Sequence, residues 1–272
     1  MEGKAQKELA FFYDLYIATD WGERFAALVD EHVKLPKDGR VLYVAAGTGG
    51  HALALQARGE KLTVLCVDEN DECLELARTK AVALHQEAEF QREDPKALSF
   101  KDDQFDLVLG DASFVPPTNL KPMLAEMVRV AKPGATVASW FPTAASFSEF
   151  FSIYWEALRR AKVEDRAVEV ERLITDLPTV ADAESWAEQT GLESVTSFTT
   201  IEEFDYGSGE QFLASPLITD FLLPNWLQFV PEDAREGVVQ ELAKIIDEER
   251  HDGEFSLTLK ATLIWGRKSR EQ

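Results

Sequence analysis

One stretch, Val41-Leu42-Tyr43-Val44-Ala45-Ala46-Gly47-Thr48-Gly49-Gly50, constrains this chain more than any other. An apolar run short enough to be a buried strand passes directly into a glycine-rich turn, and a helical segment, His51 to Arg58, opens behind it. Glycines at 47, 49 and 50 remove the side chains that would keep a ligand off the backbone. A helix starting there offers unpaired N–H groups and partial positive charge. Such a turn cradles one end of a nucleotide-like molecule.

The surrounding pattern alternates strands and helices. Strands are expected at Val41–Ala45, Leu62–Val67 (ending at Asp68), Ala88–Gln91, Phe105–Leu109 and Thr136–Trp140. Helices are expected behind Asn70 or Asp71 and over Leu120–Ala131, the latter stopped by Lys132-Pro133-Gly134. Alternation of this kind implies a parallel sheet covered by helices on both faces. The first forty residues read as helical. Phe147, Phe150, Phe151, Tyr154, Trp155 and Leu158 form one stripe of a later helix, which either packs on the sheet or lines an apolar pocket. Helices are expected at Val180–Gln189 and, with a proline-rich join, across residues 207–253; Glu193–Tyr206 and Phe255–Trp265 read as strands.

Composition narrows the partners. A formal charge of −21 over 272 residues repels nucleic acid and anionic lipid. No apolar run reaches the roughly eighteen residues of a membrane span, so a cytoplasmic protein is expected. Cys66 and Cys73 do not form a metal- or redox-type pair, and His32, His51, His85 and His251 are scattered, so no bound metal is expected. His51, in the first turn of its helix, reads as a surface residue.

The glycine turn admits two cofactors. Gly47-Thr48-Gly49-Gly50-His51-Ala52 fits the dinucleotide pattern G-x-G-x-x-G/A, and Asp68 lies 21 residues after Gly47, where a ribose-binding acid belongs. That pattern alone leaves NAD open, and with it an oxidoreductase.

Downstream motifs point elsewhere. The stretch 41–49 resembles V-L-D-x-G-x-G-T-G, the first motif of the class I S-adenosylmethionine-dependent methyltransferases, in particular their type 11 subgroup. Val67-Asp68 with Leu74-Glu75-Leu76-Ala77-Arg78 resembles the second motif. Glu93-Asp94-Pro95-Lys96-Ala97-Leu98-Ser99-Phe100 running into Asp102-Asp103-Gln104-Phe105-Asp106-Leu107-Val108 resembles the third. Leu124-Ala125-Glu126-Met127-Val128-Arg129-Val130-Ala131-Lys132-Pro133-Gly134 resembles the fourth. The resemblance covers residues 41–140, approximately. It implies a Rossmann-like, doubly wound α/β fold whose mostly parallel sheet has seven strands, the last antiparallel. It divides the chain into a helical cap (1–40), a cofactor-binding domain (41–206 and 254–268) and a helical insertion (207–253).

The resemblance also assigns roles. The backbone at Ala45, Gly47 and Gly49, with Thr48 between them, would hold the methionine end of S-adenosylmethionine. Asp68 would bind the ribose hydroxyls with Glu69 alongside the adenine, and Asp94 would accept from the adenine amino group with Pro95 nearby. Asp111 would lie where cofactor and acceptor meet, and Tyr13, in a Tyr13-Asp14 pair, would close over the cofactor. The plainer alternative is a helix-capping loop residue for Asp94 and Asp111, and ordinary packing for Tyr13. Three residues depart from the motifs: Tyr43 stands for an acid that supports the cofactor's ammonium end, and Ala45 and Glu93 stand for glycines. The implied activity is methyl transfer to a small apolar or aromatic acceptor, with a catalytic residue and an oligomeric state left open. A binding protein that keeps the cofactor but has lost transfer is the competing outcome.

Overall fold

The computed structural model describes residues 5–59, 61–163, 166–249 and 253–270. The core of the fold is a seven-stranded sheet in the order β3-β2-β1-β4-β5-β7-β6, formed by β1 (Asp38–Val44), β2 (Lys61–Asp68), β3 (Glu89–Arg92), β4 (Phe105–Asp111), β5 (Ala131–Pro142), β6 (Leu192–Tyr206) and β7 (Phe255–Lys268). The first five strands pair in parallel, and the sheet is mixed, with antiparallel pairing beyond β5. The doubly wound reading of the sequence therefore holds.

Residue contacts divide the chain into two units. The larger comprises Ala5–Phe141, Thr179–Thr199 and Ala261–Gln272; the other includes Pro142–Pro178 and Thr200–Lys260.

In the larger unit, β1 is central because its residues are apolar on both faces: Val41, Leu42, Tyr43 and Val44 are all buried. Helix α5 (Pro117–Val130) presents Leu120, Met123, Leu124, Met127 and Val128 to the cluster built on Leu42, Val44, Val67, Val108 and Val137, which α8 (Val180–Gln189) joins through Ala183 and Ala187. Pro117 opens α5 where no N–H partner is needed. Helices α3 (Gly50–Arg58) and α4 (Asp71–Ala83) follow β1 and β2. The side chain of Asn70 caps α4 by accepting from the N–H groups of Glu72 and Cys73 at 3.0 and 3.3 Å. The N-terminal segment is helical throughout, as α1 (Gln6–Phe12), a π-helical run (Tyr13–Trp21) and α2 (Gly22–His32).

In the other unit, the aromatic stripe belongs to α6 (Ser148–Arg160), with two corrections. Phe147 is the left-handed residue that precedes the helix, with φ 62°, and Trp155 is 39% exposed while Ile153 is buried. Ridge geometry explains the second: 153 lies between 150 and 157 on the covered face, and 155 falls at its edge. The stripe is core. Phe150 stacks on Trp226 with ring centroids 4.1 Å apart, and the Tyr154 hydroxyl donates to the Trp226 carbonyl at 2.6 Å. The rest of this unit is α7 (Ala167–Thr175), α9 (Gly209–Ala214), a π-helical turn (Leu217–Leu222), α10 (Leu223–Trp226) and α11 (Glu232–Glu249), with Val238, Leu242, Ile245 and Ile246 buried. Among the described residues no helix is long and apolar enough to cross a membrane.

Candidate cofactor site at the carboxyl ends of the strands

Parallel register decides what meets what. Val44 pairs with Val67 on one side and Gly110 on the other, so the residues that follow these strands emerge at one edge of the sheet. That edge carries the glycine turn, Asp68 and Asp111. It is also where the strand order reverses, with β2 on one side of β1 and β4 on the other, the place where open α/β sheets bind ligands.

The turn is shaped by three alternate departures from ordinary backbone. Ala45, Gly47 and Gly49 have φ of 54°, 53° and 73°. A Cβ on Gly47 would lie 2.7 Å from the Tyr13 ring, and one on Gly49 would lie 3.0 Å from the Cβ of Ala77. Both glycines are therefore sterically required. Ala45 is not a glycine and carries left-handed strain of about 1–2 kcal/mol. We expect Ala45→Gly to raise stability by about 1 kcal/mol, because relief of strain exceeds the entropy glycine adds to the unfolded chain. Urea unfolding checks this; an unchanged or lower midpoint contradicts it.

Asp68 closes the turn. Its Oδ2 accepts from the Gly47 N–H and its Oδ1 from the Asn70 N–H, each at 2.8 Å. Burial pushes its pKa above the usual carboxylate range, and those backbone hydrogen bonds only partly oppose the shift. With the Glu69 N–H also directed at it, the carboxylate keeps acceptor capacity for a further donor. Across the edge, Asp111 Oδ1 accepts from the Ser113 N–H at 3.0 Å, and burial raises its pKa also, with the charge of Asp68 contributing. Two desolvated carboxylates thus share one edge.

The N-terminal segment covers this edge. The Tyr13 ring lies against Gly47 and meets Phe114 edge-on at 6.3 Å, and Phe114 stacks on Trp21 at 5.0 Å. Burial, then the fields of Asp111 and Asp68, push the Tyr13 phenol well above its ordinary pKa. The next residue fixes the segment: Asp14 accepts from the Thr48 hydroxyl at 2.6 Å and pairs with Lys80, which also donates to Thr48 at 3.1 Å. Asp14 and Lys80 were not among the residues singled out from sequence as ligand contacts; only the Tyr13-Asp14 pair hinted at either.

Glu69, Asp94 and Pro95 lie on neighbouring loops. Glu69 is exposed, with Lys96 Nζ 4.0 Å away. Asp94 accepts from the Lys96 N–H at 2.9 Å, and its carboxylate remains 45% exposed, while Pro95 is buried. Glu93, where the motif has glycine, is buried and accepts from the Ser99 N–H and hydroxyl at 2.9 and 2.5 Å, bracing this loop. Arg129 braces the next one, bonding Glu126, Asp102 and the carbonyls of Leu98 and Phe100.

Sequence reasoning missed one constellation. The Tyr43 hydroxyl is 2.9 Å from Nδ1 of His51, whose Nε2 is 3.1 Å from Asp30; Asp30 also pairs with Arg58. His51 is only partly exposed, turned inward by that phenol. A polar residue at the end of an otherwise apolar strand, eight positions before a helical histidine, was the available signal. Among the described residues no group of three His, Cys, Asp or Glu is arranged to hold a metal.

Strand order, glycine turn and paired acids define a Rossmann-like α/β domain. Residues 41–134 match the family model described as a methyltransferase domain. Over that span the chain is similar to the S-adenosylmethionine-dependent methyltransferases. It is 34% identical over 145 residues to demethylmenaquinone methyltransferase of Deinococcus radiodurans; the match covers 52% of this chain and 59% of that enzyme. Among solved structures, the YcgJ protein of Bacillus subtilis superposes with a TM-score of 0.60 at 18% identity, covering 91% of this chain and 99% of that one. The Haemonchus contortus phosphoethanolamine N-methyltransferase 2, solved with phosphomonomethylethanolamine and S-adenosylhomocysteine, gives 0.55 at 16% identity, covering 91% and 53%. At these identities the structural likeness concerns the fold.

Proposed function

We propose that this protein transfers a methyl group from S-adenosylmethionine to a small apolar or aromatic organic acceptor. The observation that carries the reading is Asp68, a desolvated carboxylate held by backbone N–H groups with acceptor capacity still open at the end of β2. A ribose diol supplies matching donors, and hydrogen bonds to an ionised acceptor are the strong ones. The donor set suits this cofactor better than a dinucleotide. When ionised, Asp68 and Asp111 make the edge negative, which disfavours a pyrophosphate and favours the cationic sulfonium and ammonium groups.

When bound, S-adenosylmethionine supplies a methyl group already activated by sulfonium charge, so in-line displacement by the acceptor needs little covalent help from protein. The chain's own work is placement and exclusion of water. Ala45, Gly47 and Gly49 give close backbone approach. Asp68 orients the sugar, with Glu69, Asp94 and Pro95 on the adenine side. Tyr13, fixed by the Asp14–Lys80–Thr48 cluster, covers the turn. Tyr13, Phe114 and Trp21 make that cover aromatic, which supports an apolar or aromatic acceptor; the Deinococcus relative is named for demethylmenaquinone.

Calorimetry tests the donor half. Wild-type protein should bind S-adenosylhomocysteine with micromolar affinity and give no heat with NAD. Absence of heat with the nucleoside, on folded protein, overturns the reading. A screen of acceptors with labelled donor tests the other half, and bound donor without turnover on any acceptor would make this a binding protein instead.

A further inference from the structure

The N-terminal segment is built unevenly. Behind Tyr16, Ile17 and Trp21 are buried and fix the rear of the π-helical run, with Phe25 of α2 buried beyond them. Ahead of that point Phe11, Leu15 and Tyr16 are exposed, and the segment faces the domain through Ala10, Tyr13 and Asp14, three and four residues apart. The Tyr13 ring occupies the space that a side chain at 47 would fill, so this front half covers the glycine turn. The backbone joining front to rear is π-helical, a form that is rare and concentrated at functional sites.

Three groups from three elements fasten that front half. Asp14 Oδ1 accepts from the Thr48 hydroxyl at 2.6 Å and pairs with Lys80, while Lys80 Nζ donates to Thr48 Oγ1 at 3.1 Å. Each group meets both others, which closes a ring. Thr48 belongs to the turn and is buried. Lys80 stands in the last turn of α4, where the negative end of the helix favours a cation. The cover is thus tied to the turn and to the scaffold at one point. That tie is electrostatic, and both charged side chains are 29% exposed, so water and salt reach it. A ligand takes no part in the ring, which closes over a free turn and over an occupied one alike.

We propose that the Asp14–Lys80–Thr48 ring is an ionic latch on a lid, residues 5–16, and that it sets how fast the nucleoside enters and leaves. Passage requires the lid to lift, with the π-helical run as its hinge and Trp21 at the fixed end. A latch that closes equally over both states slows entry and exit together and leaves the equilibrium between them nearly unchanged. That separates it from a residue that touches the ligand, whose loss chiefly speeds exit. The inference rests on the cofactor reading above, and it makes Lys80 and Asp14 positioning residues.

Two measurements test it on wild type, Lys80→Met, Asp14→Asn and the double variant: binding kinetics of radiolabelled S-adenosylhomocysteine by rapid filtration, and hydrogen exchange of the protein alone. Lys80→Met keeps the aliphatic stem. It should raise the association and dissociation rate constants about 10-fold each, the low end for a hydrogen bond between charged groups because water screens it, and leave affinity within about threefold. Asp14→Asn should do the same, and the double variant should be no faster than either, since one ion pair is lost in all three. Sodium chloride at about 0.5 M should speed wild type toward the variants and leave Lys80→Met unmoved. Amides of residues 5–16 should exchange faster in Lys80→Met while those of β1 do not. Unchanged rate constants, faster exit with unchanged entry, or exchange raised throughout the chain each overturn the proposal. Wild type that binds no S-adenosylhomocysteine overturns the cofactor reading instead; exchange in residues 5–16 then decides the latch, and no change there in Lys80→Met overturns it.

Discussion

Asp68→Ala should weaken S-adenosylhomocysteine binding by at least about 100-fold while the protein stays folded. Charge-assisted hydrogen bonds to a diol, each worth about 1.5–3 kcal/mol, disappear together. The turn also loses its anchor, since the Gly47 N–H is tied to Asp68 Oδ2. Stability should move little, because burial raises the carboxyl's pKa and the folded state therefore gains nothing from its charge. Asp68→Asn keeps shape and an acceptor, so a loss of about 10-fold is expected from charge alone. The same shift predicts the pH profile. A group whose folded pKa is raised is protonated earlier on acidification, so wild-type affinity should decline at a pH above the ordinary aspartate value of about 3.9. Calorimetric titration across that range measures it. Binding by Asp68→Ala within threefold of wild type would remove Asp68 from the site.

The sheet was legible because its strands are short apolar runs ended by Gly or Asp, and each of the first five pairs as the pattern implied. Boundaries were harder. The fifth strand begins at Ala131, not Thr136, since Lys132-Pro133-Gly134 leaves the helix straight into the sheet; Ala131 pairs with Phe105 across a register shift. Residues Ala167–Thr175 form a helix that periodicity hides: Val168-Glu169-Val170-Glu171 alternates as a strand would, Val168 is exposed and Val170 is buried. The aromatic stripe was read correctly as a helix face, but sequence does not say what covers it. Trp226, far along the chain, fills that place. In the candidate site, Gly47, Gly49 and Asp68 announce themselves through local spacing. The Tyr43–His51–Asp30 series and the Asp14–Lys80–Thr48 cluster each join distant helices and strands, so local spacing hints at some members and encodes neither whole.

Asp111→Asn should move stability and binding in opposite directions. Asp111 is half-buried at the end of β4, and desolvation raises its pKa. For an acid with a raised folded value, the unfolded chain ionises first as pH rises. Its contribution to stability is therefore present in acid and is lost as pH climbs from the ordinary carboxylate value, about 3.9, through the higher folded one. Above the folded value the apo protein bears that loss in full. Asparagine keeps an oxygen for the Ser113 N–H, which Asp111 Oδ1 now meets at 3.0 Å, and removes the charge. The variant's melting temperature should rise by about 2–4 °C for each 1 kcal/mol recovered, while S-adenosylhomocysteine affinity falls about 10-fold for want of the anion. A residue that only braced a loop would lose stability on substitution and leave the ligand alone. A functional carboxylate does the reverse, because the strain of burying its charge is relieved only when the cationic ligand arrives. Calorimetric scans of the apo protein, paired with titrations at the same pH, read both numbers, and a lower melting point with unchanged affinity would return Asp111 to the role of a loop residue.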